Sequence, residues 1–224
     1  SNFLFFNIII IIAELNKYFV KSMNVIVLKF GGTSVADINK INNVANIVEK
    51  QLNNNKLIVV LSAMAGVTNQ LQKYIDEIKS EENLENDLIL TSGENVTIGL
   101  LSSILKQRNI KSIPLLGWQL PIITDENHIK AKILNIDKKR IYKFFEKFDV
   151  LVLAGFQGIN LNGNITSLGR GGSDTTAVAL AAAVDAERCD IYTDVEGVFS
   201  SDPNIVSKAK KINKLAFEEM LEMS

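Results

Sequence analysis

The chain has 224 residues, 47% of them hydrophobic and 22% charged, with a mean hydropathy of +0.15, enough apolar material for one sizeable core. A net charge of −1 and a pI near 5.9 exclude recognition of nucleic acid or of an anionic membrane by bulk electrostatics, so any anion site must be built from local groups. One cysteine, Cys189, and one histidine, His128, exclude an internal disulfide, a histidine-based metal cluster and a triad that draws on several histidines, and a chain without disulfides is most simply cytoplasmic.

Phe3–Ile12, FLFFNIIIII, is intensely apolar but shorter than the roughly 20 residues of a membrane span. It also lacks the basic flank and small-residue cleavage site of a secretory signal. Met23 stands directly before a strand-like run, so residues 1–22 are expected to lie outside the fold as upstream sequence or an extension. The rival reading is a weak membrane or partner anchor.

Val25–Phe30, VIVLKF, reads as a strand that ends in Gly31-Gly32-Thr33-Ser34, after which Ile38, Ile41, Val44, Ala45 and Val48 recur at helical spacing. Lys29 sits at the strand end, where its ammonium can reach an anion faced by the Gly31 and Gly32 amides. This is phosphate-loop logic without the Walker pattern. The bland alternative is a solvated lysine. Leu57–Leu61 is a second buried strand that opens into Ser62–Asn69 and a helix to about Ile78. Hydroxyl residues at a strand's carboxyl end are placed for substrate contact, although Thr68 would serve equally as a helix N-cap. Ser80–Asn86 is a polar, acidic break.

Leu88–Thr91 leads into Ser92-Gly93-Glu94 and a helix carrying Val96, Ile98, Leu101 and Leu105. Glu94 has two readings, an electrostatic cap at a helix start or a carboxylate aimed at a substrate ammonium. Ser112–Leu116 and Pro121–Thr124 read as a strand and a bent strand pair with Asp125–His128 in the turn, His128 being structural or superficial rather than catalytic. Ile136–Phe148 is a basic amphipathic helix, and Val150–Ala154 a central strand running into Gly155-Phe156-Gln157-Gly158. Asn160–Asn164, NLNGN, is a hairpin turn.

That hairpin delivers the chain to Thr166–Asp174, TSLGRGGSD, and the apolar run Thr175–Val184. Three glycines in four positions before a helix read as an anion site of free N–H groups, the bland alternative being a surface turn whose arginine is merely solvated. Arg170, flanked by glycines, adds a planar fork for a carboxylate. Ser173 and Asp174 are at the least helix caps. Cys189–Thr193 is a last strand, with Asp194 beyond it. Strands alternate with helices throughout, which predicts an α/β fold: a mainly parallel open sheet, helices on both faces, one crevice along the carboxyl edge.

Two anion turns, one with a lysine and one with an arginine, suggest a polyphosphate meeting a carboxylate. Phosphoryl transfer needs positioned cations and N–H dipoles more than a protein nucleophile. A carboxylate acceptor, which ordinarily titrates near pH ~4, is already ionised at neutral pH and needs no general base. The scarcity of histidine suits such a kinase better than most hydrolases.

KFGGTS at Lys29–Ser34, SAMAGVTN at Ser62–Asn69, SGE at Ser92–Glu94, GFQG at Gly155–Gly158, LGRGGSDTTA at Leu168–Ala177 and CDIYTDVEGVF with the later Asp202-Pro203 together resemble the catalytic domain of the aspartate kinases. The likeness runs from about Val25 to the last residue. It implies the amino-acid kinase fold over residues 23–224 and phosphoryl transfer from ATP, with Mg²⁺, to the side-chain carboxylate of L-aspartate, the first step toward lysine, methionine and threonine. Lys29 would neutralise charge on the transferring group, with Phe30, Gly31, Gly32 and Ser34 holding the nucleotide phosphates. Thr68, Glu94, Arg170, Gly171, Gly172 and Ser173 would bind aspartate, and Asp174 would orient Lys29. Thr193, Asp194, Phe199, Asp202, Pro203 and Asn204 would line the nucleotide pocket.

Relatives often carry Tyr at the position of Phe199, Arg at Asn204 and Gly at Ile129. The sequence stops at Ser224 within LAFEEMLEMS, where the family continues with further kinase residues and two regulatory ACT domains, so the domain is expected to be incomplete at this end. The full-length form is expected to be a homo-oligomer. Rival readings are a kinase of the same fold acting on glutamate, N-acetylglutamate, carbamate or UMP, or an inactive truncated nucleotide-binding module. A carboxylate at Glu94 favours an amino acid over UMP.

Overall fold

The computed structural model describes residues 23–79, 81 and 83–192. The expected N-terminal extension, 1–22, and the candidate residues Thr193, Asp194, Phe199, Asp202, Pro203 and Asn204 lie outside the described residues.

In chain order the elements are β1 (Val25–Phe30), a 3₁₀ turn (Gly32–Val35), α1 (Ile38–Gln51), β2 (Lys56–Leu61), α2 (Val67–Ile78), α3 (Leu84–Leu90) and α4 (Ser92–Gln107). There follow β3 (Ser112–Leu115), β4 (Ile122–Thr124), β5 (Ile133–Ile136), α5 (Lys138–Phe145), β6 (Val150–Ala154), β7 (Gln157–Ile159), β8 (Ile165–Ser167), α6 (Gly172–Ala183) and β9 (Arg188–Tyr192). Five strands form a parallel sheet in the order β3-β6-β2-β1-β9.

β1, β2 and β6 are apolar at almost every position because both sheet faces are covered, the pattern expected of a parallel sheet between helical layers. Side chains alternate between the faces. Ile26, Leu28 and Phe30 point to the layer formed by α1 and α4, with Ile41, Val44, Ile98 and Leu101. Val25 and Val27 point to the layer of α5 and α6, with Ile141, Phe145, Ala177 and Leu180. Each such side chain contributes roughly 1.5–3 kcal/mol by leaving water. The same alternation puts Lys29 on the α6 face, in register between Val60 of β2 and Ile191 of β9.

A second sheet, β5-β4-β7-β8, departs from the expected single sheet. Its β4–β5 and β7–β8 pairs are antiparallel hairpins, the second closed by the expected Asn160–Asn164 turn, where Asn160 Oδ1 accepts from the Asn162 and Asn164 amides. The polar break holds the start of α3, capped by Asn83, whose side chain accepts from the Asn86 N–H. Ile136 ends β5, so the basic helix starts only at Lys138, capped by Asp137. The segment Leu84–Gln107, 24 residues, is long and apolar enough to cross a membrane, but its apolar side is built into the core through Leu90, Ile98, Leu101 and Leu105, as befits the core helix of a folded domain.

Candidate active site

A cleft of about 800 Å³ opens at the carboxyl ends of the parallel strands, lined from β1, the loop after β2, α4, the loop after β6 and the start of α6. Lys29, Thr68, Glu94, Arg170, Gly171, Gly172, Ser173 and Asp174 all border it. Residues separated by up to 145 positions thus meet because the strands that carry them end on one edge.

Lys29 is the cation at the bottom. Its residue is 7% exposed, and Nζ lies 2.6 Å from Asp174 Oδ1, a charge contact without aligned hydrogen-bond geometry. An ammonium so enclosed keeps one geometry, which a charge aimed at a phosphoryl group requires. Around it the turn is locked. The Gly31 N–H donates to the Tyr192 carbonyl (3.2 Å), the Ser34 N–H to the Gly31 carbonyl (2.9 Å), and the Ala65 N–H to the Gly32 carbonyl (3.2 Å). The Gly31 amide therefore already has a partner, contrary to the expectation that the Gly31 and Gly32 amides both face an anion, and the Ser34 amide is engaged as well. Gly32 is glycine for closeness: a Cβ there would stand 2.9 Å from the Ala63 carbonyl oxygen. Phe30 is 1% exposed and stacks on Tyr192 with ring centroids 4.5 Å apart, on the sheet face away from Lys29. Its ring is part of the core, not of the cleft.

Glu94 is the third residue of α4 and 2% exposed. Within its own helix the carboxylate reaches only its own N–H, a contact that opposes the effect of burial on its pKa. Oε1 accepts from the Ala63 N–H (3.2 Å) and Oε2 has no partner among the described residues. Burial pushes its carboxyl up to about 7. The Thr97 hydroxyl, donating to the Ser62 carbonyl (2.9 Å), fixes this end of α4 against the loop after β2. A half-satisfied carboxylate at a cleft wall suits a cationic partner. Thr68 is the second residue of α2, half-buried, and the N-cap is Gly66 instead.

The arginine turn is built differently. Gly171 is the N-cap of α6 with φ +71°, a left-handed conformation glycine adopts without strain. The Gly172 and Asp174 amides bond back to the Gly169 and Gly171 carbonyls (3.1 and 2.8 Å), so this helix start also keeps fewer free donors than the sequence suggests. Arg170 is exposed and has no ion pair or hydrogen bond among the described residues, leaving its whole fork for a ligand. Ser173, 9% exposed, packs on Gly155. Thr176 ties the next loop in, its Oγ1 accepting from the Phe156 N–H (3.1 Å).

The cleft also contains Gln72, Ile129 and Lys130, which no motif marks, and Phe156, which lies in the GFQG motif but is not among the candidates. Phe156 and Ile129 have φ of +66°, a conformation that nothing in the letters Phe or Ile announces. The Ile129 position, where relatives often carry Gly, is the one available signal. His128 is structural, as its isolation suggests: Nδ1 lies 2.7 Å from Asp87 Oδ2. Among the described residues no group of three or more His, Cys, Asp or Glu is placed to hold a metal.

Residues 24–224 match the Amino acid kinase family. The aspartokinase of Rickettsia felis is 50% identical over 207 residues, covering 90% of this chain and 52% of that protein. The structure of E. coli aspartokinase III in complex with aspartate and ADP superposes with a TM-score of 0.69 at 28% identity, covering 84% of this chain and 53% of that one. Aspartate kinase from Synechocystis gives a TM-score of 0.67 at 42% identity, covering 83% and 31%. The chain spans about half the length of the curated relatives it matches. A matched segment that takes in every described strand and helix, folded as a parallel sheet with its cleft on the carboxyl edge, shows that the chain belongs to the amino acid kinase family.

Proposed function

We propose that this chain carries the catalytic machinery of an aspartate kinase, which transfers the γ-phosphoryl group of ATP to the side-chain carboxylate of L-aspartate and yields 4-phospho-L-aspartate and ADP. The observation that carries the reading is the sharing of one cleft by an enclosed Lys29–Asp174 pair, an unpartnered Arg170 and a buried Glu94. The likeness to aspartokinases, one of them solved with aspartate and ADP, supports the choice of substrate.

In this reading a side-chain oxygen of aspartate attacks the γ-phosphorus while the bond to the β,γ-bridging oxygen breaks and ADP leaves. The attacking carboxylate is already ionised, so no proton is moved. Lys29 neutralises charge on the equatorial oxygens as they spread in the transition state, and Asp174 holds its ammonium in line. Gly32 and Ser34 border the phosphates. Arg170 takes the substrate α-carboxylate as a bidentate pair. Glu94 takes the α-ammonium, whose approach favours the ionised form of a carboxyl that burial otherwise keeps near neutrality. Thr68 and Ser173 supply hydroxyls to the same ligand.

Mg²⁺ would accompany the nucleotide. Asp174, the cleft carboxylate whose Oδ1 stands beside Lys29 without an aligned hydrogen bond, is the residue that would hold it. Such an ion would supply further charge neutralisation on the phosphates. The reaction belongs to the route toward lysine, methionine and threonine in the cytoplasm.

The test is ADP release with aspartate, glutamate and UMP offered side by side. Release with aspartate alone is expected. Release with glutamate or UMP in its place would overturn the assignment.

A further inference from the structure

We propose that Asp87, outside the cleft, is a positioning residue that ties the β4–β5 loop to the arginine turn and so fixes the direction of the substrate-holding Arg170; the inference rests on the aspartate kinase reading. Asp87 is the fourth residue of α3 and 0% exposed. Its Oδ1 accepts from the Ile129 N–H (2.9 Å), the Ser167 N–H (3.1 Å) and the Ser167 hydroxyl (2.6 Å), while Oδ2 lies 2.7 Å from His128 Nδ1. All four contacts go to residues 41 to 80 positions away, and none serves α3. A carboxylate is the side chain suited to this place, since it offers acceptors only.

The contacts divide between two loops. His128 and Ile129 belong to the β4–β5 connection, and Ser167 ends β8 directly before the arginine turn. The loops also touch each other: the Ala131 N–H donates to the Ser167 carbonyl (2.9 Å), and a Cβ at Gly169 would stand 3.3 Å from the Ile129 carbonyl oxygen. Ile129, Lys130, Gly169 and Arg170 all line the cleft.

Ile129 gives the arrangement its cost. A β-branched residue at φ +66° is strained and persists only where its surroundings over-determine it. The bond to Asp87 and the packing of its carbonyl against Gly169 are those surroundings. Without the carboxylate, the Ile129 peptide is free to relax to negative φ, which moves the loop away from Gly169 and lets the direction of Arg170 drift. The lysine turn lies on β1 and touches none of these groups, so its geometry is left as it was.

The experiment compares Asp87→Asn with wild type in steady-state kinetics for each substrate and in amide hydrogen exchange by peptide. The variant is expected to raise KM for aspartate about tenfold or more, because small displacements of substrate-holding groups are costly, with KM for ATP changed by less than about twofold. Exchange should quicken in peptides covering 125–132 and 167–172 and stay unchanged over 25–34. A merely structural role would lower the active fraction, hence kcat, and leave the aspartate KM alone. His128→Asn, whose side-chain nitrogen can stand where Nδ1 stood, should keep the wild-type KM while His128→Leu should not. Should Asp87→Asn fail to fold, Ser167→Ala removes one donor and provides the same comparison. An unchanged aspartate KM, or an equal rise for both substrates, overturns the proposal. Wild type that releases no ADP with aspartate overturns the function reading instead, and the exchange comparison then decides alone whether Asp87 holds the loops.

Discussion

The lysine turn after β1 and the arginine turn before α6 look alike in sequence, each a glycine-rich link from strand to helix with one cation, yet they are built to opposite specifications. Around Lys29 the amides of Gly31 and Ser34 are engaged, the turn is pinned to the loop after β2, and the ammonium is enclosed beside Asp174. Around Arg170 the side chain is exposed and unpartnered, and the turn depends on the left-handed Gly171. Under the proposed function the difference has a reason: a charge that acts on the same phosphoryl group at every turnover gains from rigidity. A charge that must admit and release a small amino acid gains from access.

Removal of each charge should break the comparison in a different place. Lys29→Ala should lower kcat by about 10³-fold, the scale of a lost preorganised transition-state contact, with little change in the aspartate KM; a rise confined to KM would make Lys29 a binding residue. Glu94→Gln comes next. It should raise the aspartate KM about tenfold, the scale of one charge-assisted hydrogen bond, and abolish a pH dependence specific to this group.

Since burial raises the folded-state pKa of Glu94 from 4.5 to about 7, the folded form keeps its proton between those values while the unfolded form releases it. Wild-type stability without substrate should therefore fall as pH rises from 4.5 to about 7, by an order of about 3 kcal/mol, and level off above. Urea midpoints across this range should slope in wild type and lose that slope in Glu94→Gln. Aspartate affinity should move the other way, improving as Glu94 ionises.

Arg170→Ala sharpens the contrast from the other side. An exposed, unpartnered side chain contributes nothing to folding, so the melting temperature should stay within about 1 °C while the aspartate KM rises about tenfold and kcat holds. Gly171→Ala should have the smallest effect, a loss of about 1 kcal/mol in stability from forcing a Cβ into the left-handed region, readable by denaturant titration.

Much of this arrangement is legible in the letters. VIVLKF followed by two glycines, and GRGGSD before an alanine-rich run, place both turns and their helices, because strand and helix signals are local and glycine marks where they change over. The second sheet is not legible as one: its strands have three or four residues, too few for a period to show, and their partners are set by the tertiary fold. Asp87 shows the limit most clearly. It stands just beyond the polar break Ser80–Asn86 and no motif or spacing singles it out; only partners 41 to 80 residues away make it a buried hub. Donor accounting at the two turns is likewise invisible, since a glycine announces a close backbone but not which amides that backbone has already engaged.

The register of β1 has one more consequence. Lys29 faces the cleft only while Val60 and Ile191 stand opposite it on either side. A slip of one residue would swap it with Phe30, sinking the ammonium into an apolar layer and turning a benzyl group toward the cleft. Under the proposed function, a chain paired in that register would lack its cation in place and could not act on ATP.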